Sequence, residues 1–128
     1  MRIDEEKPII LIAEDNPNNY RLFETILKKD YILLHAWSGK DAVQLFEEHH
    51  PHLILMDIKM PLMDGYEATQ KIRDYSSVVP IIAVTAYAFG EDETRIMHSG
   101  FNGFVSKLIQ TRTLREMILK TLKKKLIF

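Results

Sequence analysis

The chain has no cysteine among its 128 residues. That excludes disulfides, thiolate zinc sites and cysteine nucleophiles, and it fits a reducing compartment. It also lacks long hydrophobic runs. The longest are a handful of residues, against the roughly 20 that a membrane-spanning helix needs, so no direct membrane insertion is expected. Excess charge of either sign is missing too: 17 Lys+Arg stand against 18 Asp+Glu, for a net charge of −1. Nothing global draws such a chain to nucleic acid or to an anionic membrane. The first seven residues, Met1 to Lys7, form a polar leader without the apolar centre of a signal peptide. A cytoplasmic domain is the expectation. What is present is an ordinary globular mixture, 46% hydrophobic and 27% charged. Residues 1–128 read as one domain with its core at about 8–125, long enough to bury a proper core.

Short apolar runs recur along the chain: Ile9–Ala13, Ile32–Leu34, Leu53–Met56, Ile81–Val84 and the brief Phe104–Val105. Continuous runs rich in Ile, Leu and Val suit strands buried on both faces. Between them lie segments of helical period, over 18–30, 39–50, 65–74, 91–99 and 112–125. The last is the clearest, with Leu114, Met117, Ile118, Thr121 and Leu122 on one stripe. Asn16, Ser38 and Asp64 stand where helix N-caps belong, and Thr113 with Glu116 matches a capping box. The Lys123–Lys125 run closes the last helix, where positive charge favours the helix dipole.

Strands separated by helices must be parallel, with right-handed crossovers. Five such units are too few for an eight-stranded barrel. The expected fold is therefore α/β: a doubly wound, five-stranded parallel (βα)5 sheet in the flavodoxin-like order 2-1-3-4-5. Ligands of such sheets bind at the carboxyl ends of the strands, beside the switch between strands 1 and 3.

Strand 1 ends in Glu14-Asp15 and strand 3 in Asp57. Two unit charges about 5 Å apart repel by roughly 3 kcal/mol at an effective dielectric of 20. Three converging carboxylates need a cation or a raised pKa, and a hard divalent ion such as Mg²⁺ suits oxygen donors. Strand 4 ends in Thr85 and strand 5 near Lys107. A central carboxylate, a cation site, a hydroxyl and a fixed ammonium are the parts needed for phosphoryl transfer to an aspartate. Asp57 lies between the acid pair and the Thr/Lys edge and is the nucleophile candidate.

The run Leu53-Ile54-Leu55-Met56-Asp57-Ile58-Lys59-Met60-Pro61-Leu62-Met63-Asp64-Gly65 closely resembles the phosphorylation segment of response-regulator receiver domains. Ala13–Asn16, Val84–Ala86 and Gly100–Lys107 extend the resemblance to about residues 8–125. It implies that Asp57 accepts a phosphoryl group from a phosphohistidine. It implies that Glu14, Asp15, Asp57 and the backbone carbonyl of Lys59 hold Mg²⁺, or another divalent ion such as Mn²⁺. Thr85 would move to bond the phosphoryl group, Lys107 would pair with it, and Phe104 would turn inward as Thr85 moves. The readout face would be helix 4, strand 5 and helix 5, which also offers a homodimer surface. The donor would be a sensor histidine kinase or a histidine phosphotransfer domain. Such a domain is no enzyme beyond its own phosphorylation and dephosphorylation. Glu as the first acid is similar to receivers of hybrid sensor kinases. The reading is thus a stand-alone receiver or one tethered to the membrane through a parent hybrid kinase.

The sequence departs from the family in two places. Lys107 is followed by Leu108 instead of the usual proline, so a trans peptide bond is expected. Phe104 replaces the commoner tyrosine. Lys59 and Tyr87, each two residues beyond a key position, are expected to tune hydrolysis of the phosphoryl group. Trp37 is expected to pack near a helix, and His49, His50 and His52 to be solvated. Two other classes fit less well. Aspartate-nucleophile phosphatases carry a second acid where Lys59 stands, and a flavin site needs a phosphate loop where Glu14-Asp15-Asn16-Pro17 stands.

Overall fold

A computed structural model describes residues 7–86 and 91–126. Tyr87, residues 1–6 of the leader, and Ile127 and Phe128 lie outside the described residues. The elements alternate strictly: β1 (Ile9–Ala13), α1 (Pro17–Leu27), β2 (Ile32–Ala36), α2 (Gly39–His49), β3 (Leu53–Asp57), α3 (Gly65–Arg73), β4 (Ile81–Thr85), α4 (Glu91–Met97), β5 (Gly103–Ser106) and α5 (Thr111–Leu126). The strands form one sheet in the order β2-β1-β3-β4-β5, and every pairing is parallel. This is the flavodoxin-like arrangement expected from the sequence.

The apolar runs are continuous because the central strands are covered on both faces. Alternation then sorts their side chains. Leu11, Ala13, Ile54, Met56, Ile81 and Ala83 share one core layer with Ala42 and Phe46 of α2, Ala68 and Ile72 of α3 and Ile96 of α4. Ile10, Ile12, Leu53, Leu55, Ile82 and Val84 share the other with Phe23, Ile26 and Leu27 of α1 and Leu114 and Ile118 of α5. Every residue of β3 and β4 is buried, whereas Ile32 on edge strand β2 is 47% exposed.

The cap signals act as expected. Asn16 accepts from the Asn18 and Asn19 N–H groups, Ser38 from Asp41 and Asp64 from Glu67. The proposed box of Thr113 and Glu116 does not form. Helix α5 already begins at Thr111, and the Glu116 carboxylate instead accepts from Arg112 Nε at 3.2 Å. Helix α1 stops at Leu27, short of the expected residue 30, and α4 stops at Met97.

Arg73 ties the far end of α3 to two loops. Its guanidinium donates to the carbonyls of Gly100 (2.9 Å), Ser76 (3.1 Å) and Val79 (2.8 Å) and to Asn102 Oδ1 (2.9 Å). Asn102 Oδ1 also accepts from the Ile81 N–H at the start of β4. Arg73→Met strands these acceptors and is expected to cost about 2–4 kcal/mol. Arg73→Lys, lacking the planar fork, should recover less than half of that. Urea unfolding of the two variants checks it. Equal stability of Arg73→Met and wild type would contradict the role.

Candidate functional site at the carboxyl ends of the strands

The parallel register brings the chemistry together. Asp57 closes β3 opposite Val84 of β4, and Thr85 closes β4 opposite Ser106 of β5. Glu14 follows β1, its N–H donating to the Ala36 carbonyl at 3.0 Å. Lys107 follows β5, its N–H donating to the Thr85 carbonyl at 2.7 Å. These four side chains thus project from the last rung of a strand or one residue beyond it, and Asp15 follows Glu14.

Asp57 is 1% exposed. Lys107 Nζ donates to its Oδ2 at 2.9 Å, and the Lys59 backbone N–H donates to its Oδ1 at 3.1 Å. The Lys59 amide thus binds Asp57 directly and leaves its carbonyl free of that contact. Gly65 stands where the chain turns back against Asp57. A Cβ there would overlap the Asp57 carbonyl oxygen and lie 2.8 Å from Ile58 Cα, so glycine keeps α3 close behind the site.

Oxygens of Glu14, Asp15 and Asp57 lie within 4.8 Å of one another. Glu14 is 1% exposed. Its Oε2 accepts from the Asn16 N–H at 3.2 Å, while its buried Oε1 has no hydrogen-bond partner. Burial, then the charge of Asp57, raises the Glu14 pKa from 4.5 to about 7. Burial of Lys107 opposes its charge, but the hydrogen bond to Asp57 and the charges of Asp57, Glu14 and Asp15 outweigh it, so its pKa is raised. An orphaned buried oxygen within a set of hard oxygen donors fits a divalent cation such as Mg²⁺.

This cluster makes stability depend on pH. Between pH 4.5 and 7 the folded protein keeps a proton on Glu14 that the unfolded chain has released. Stability therefore falls as pH rises through that window, by on the order of 3 kcal/mol for this group. Metal-free Glu14→Gln should match wild type near pH 4.5 and exceed it at pH 8. Urea unfolding at both values checks this, and parallel profiles would contradict it.

The other sequence-assigned residues fall as follows. Thr85, 7% exposed, lines a cavity of about 580 Å³ together with Asp57, Lys59, Tyr66, Arg95 and Lys107. Phe104 is half-buried against the core layer of α2–α4. Among the described residues no peptide bond is cis, and Lys107 reaches Asp57 although Leu108 follows it in place of proline. Leu108 instead adopts φ +75° and is almost fully exposed. Trp37 packs over the ring of His35 at 4.0 Å. His52 is tied down, with Nδ1 accepting from the Ile9 N–H at 3.0 Å.

Sequence reasoning missed Tyr66 and Arg95 as site residues. The Arg95 guanidinium stands 3.8 Å over the Tyr66 ring. Tyr66 was legible, since it follows the Gly65 of the motif. Arg95 was not, because α4 is short and polar and its stripe says little about facing.

Comparison with known proteins agrees with this geometry. Residues 10–119 match the model of the response regulator receiver domain. The chain is 39% identical over 112 residues to the polar-differentiation response regulator DivK of Brucella ovis, covering 85% of this chain and 91% of that protein. It is similar to the receiver domain of sensor histidine kinase PA1611 from Pseudomonas aeruginosa, solved with a magnesium ion coordinated in the active site cleft. That match has 32% identity and a TM-score of 0.85, over 91% of this chain and 98% of that one. It is also similar to the receiver domain of Ssk1 from Saccharomyces cerevisiae, solved with the histidine phosphotransfer protein Ypd1. There the identity is 30% and the TM-score 0.83, over 88% of this chain and 87% of that one. The fold and the acidic pocket define a receiver of two-component signalling. The chain belongs to the response-regulator receiver domain family. Among the described residues no helix is long and apolar enough to cross a membrane.

Proposed function

We propose that the protein is a phospho-acceptor receiver in which Asp57 takes a phosphoryl group from the phosphohistidine of a sensor kinase or a histidine phosphotransfer domain. The supporting observation is the state of Asp57: a buried carboxylate whose two oxygens are held by Lys107 and by the Lys59 N–H. A carboxylate oxygen attacks phosphorus, the bond from phosphorus to the donor imidazole breaks, and an acyl phosphate forms. Lys107 supplies a fixed positive charge where negative charge gathers. Thr85, at the end of the neighbouring strand, is placed to engage the new phosphoryl group. Glu14, Asp15 and Asp57 would hold Mg²⁺, with the Lys59 carbonyl as a further ligand, and the ion would neutralise charge developing on the transferring group.

Contacts made only to the phosphorylated form bias a two-state equilibrium. Phe104, beside the Thr85 edge, carries that bias to the face of α4, β5 and α5, which would bind a downstream partner or a second copy. The same reading takes residues 1–128 as one receiver domain working in the cytoplasm, alone or tethered through a hybrid kinase, and Lys59 and Tyr87 as residues that tune hydrolysis.

Intact mass after incubation with acetyl phosphate tests the reading. One phosphoryl adduct is expected with Mg²⁺ and none with chelator. No adduct in Mg²⁺, with the ion shown to bind, would contradict it.

A further inference from the structure

The ladder between β1 and β2 ends where the acidic site begins. Its last register pair is Ala13 with Ala36, and its last rung is the Glu14 N–H to the Ala36 carbonyl. Beyond it, the chain turns into α2 under the Ser38 cap, and Trp37 gives its own N–H to Asp41 Oδ2 at 3.0 Å. The Glu14 carbonyl takes its hydrogen bond from a side chain, His35 Nε2, at 2.8 Å. A carbonyl can only accept, so Nε2 carries the proton.

The imidazole is held on both faces. Tyr20 of α1 stacks on it with ring centres 3.7 Å apart and planes 2° from parallel, and Trp37 covers it at 4.0 Å. Tyr20 sits in the first turn of a helix capped by Asn16, its N–H donating to the Asn16 carbonyl at 3.0 Å. The Asn16 N–H in turn donates to Glu14 Oε2. The contacts therefore close a ring, from the Glu14 carboxylate through Asn16, α1, Tyr20 and His35 back to the Glu14 carbonyl. Both ends of one buried acid are fixed by it.

We infer that His35 is a positioning residue for the cation site: clamped between Tyr20 and Trp37, it orients Glu14 and the adjoining Asp15 by donating to the Glu14 carbonyl. Residues that orient ligands from behind set metal affinity without touching the ion. The inference rests on Glu14 being a cation ligand, as proposed above. Stacked aromatic rings fix the imidazole plane, which a lone hydrogen bond on an edge strand would not.

Calorimetric titration of the metal-free protein with Mg²⁺ tests it, alongside thermal unfolding. His35→Leu keeps the volume and loses the donor, and should bind Mg²⁺ about 3- to 10-fold more weakly. His35→Gln keeps a donor but loses the stacked ring, and should fall between wild type and His35→Leu, about 2- to 3-fold weaker than wild type. Tyr20→Ala, half-buried at the margin of the α1–α5 core layer, frees one face of the ring and should weaken binding by about 2- to 3-fold, which decides the matter if His35→Leu does not fold. Wild-type affinity in the folded variants lacking the donor or the stack would overturn the inference. So would equal losses in His35→Leu and His35→Gln, because those report packing and not the donated proton. Absence of Mg²⁺ binding by wild type would instead overturn the cation site itself.

Discussion

Asp57→Asn protein incubated with acetyl phosphate and Mg²⁺ should gain no phosphoryl group. The amide oxygen is a far weaker nucleophile than the carboxylate, and neither neighbouring acid replaces it. Asp57 closes β3 at the centre of the edge, with Lys107 on one oxygen and the Lys59 amide on the other. Glu14 faces the same space but has neither cationic partner nor backbone donor on its Oε1. The substitution is nearly isosteric, and it removes one of three crowded carboxylates. The variant should therefore fold at least as stably as wild type. Intact mass and urea unfolding together check both halves. An adduct of wild-type yield on Asp57→Asn would remove Asp57 from its role.

Lys107→Met is the second large effect. Its ammonium lies 2.9 Å from the Asp57 carboxylate. Removing a fixed charge or donor that stabilises the transition state typically costs about 100-fold in rate. Adduct formation from acetyl phosphate should slow by about that factor, followed by mass over time. Metal-free stability should also fall at pH 8, because Asp57 and Glu14 are then buried together without a cation. Mg²⁺ should restore more stability to this variant than to wild type, since it then supplies the positive charge that Lys107 no longer brings to Asp57. An unchanged rate would show that the 2.9 Å contact is a resting ion pair without a part in transfer.

The sequence made the sheet legible because its central strands are buried on both faces, which leaves short Ile/Leu-rich runs such as Ile9–Ala13 and Leu53–Met56 between helical segments. The site followed from topology. Once parallel strands in that order are granted, Glu14, Asp57, Thr85 and Lys107 must share one edge. Helix ends were harder. α5 starts two residues before the Thr113 that looked like its cap, because backbone pairing from Leu114 N–H to the Gln110 carbonyl sets the first turn. Least legible were contacts between side chains on different elements. Tyr20 lies on α1, away in sequence from the His35 and Trp37 pair at the end of β2, and no periodicity places its ring on the imidazole or the histidine on a carbonyl. The left-handed backbone of Leu108 was hidden for a like reason. It lies one residue beyond Lys107, and nothing in the residue type announces it.

The most direct test of the central claim is to locate the phosphoryl group. Protein phosphorylated by a phosphohistidine donor is reduced with borohydride, which converts an acyl phosphate to the corresponding alcohol, then digested and sequenced by mass. The account predicts homoserine at position 57 and unmodified Glu14 and Asp15. Reduction at Glu14 or Asp15, or a phosphoryl group resistant to borohydride, would contradict it.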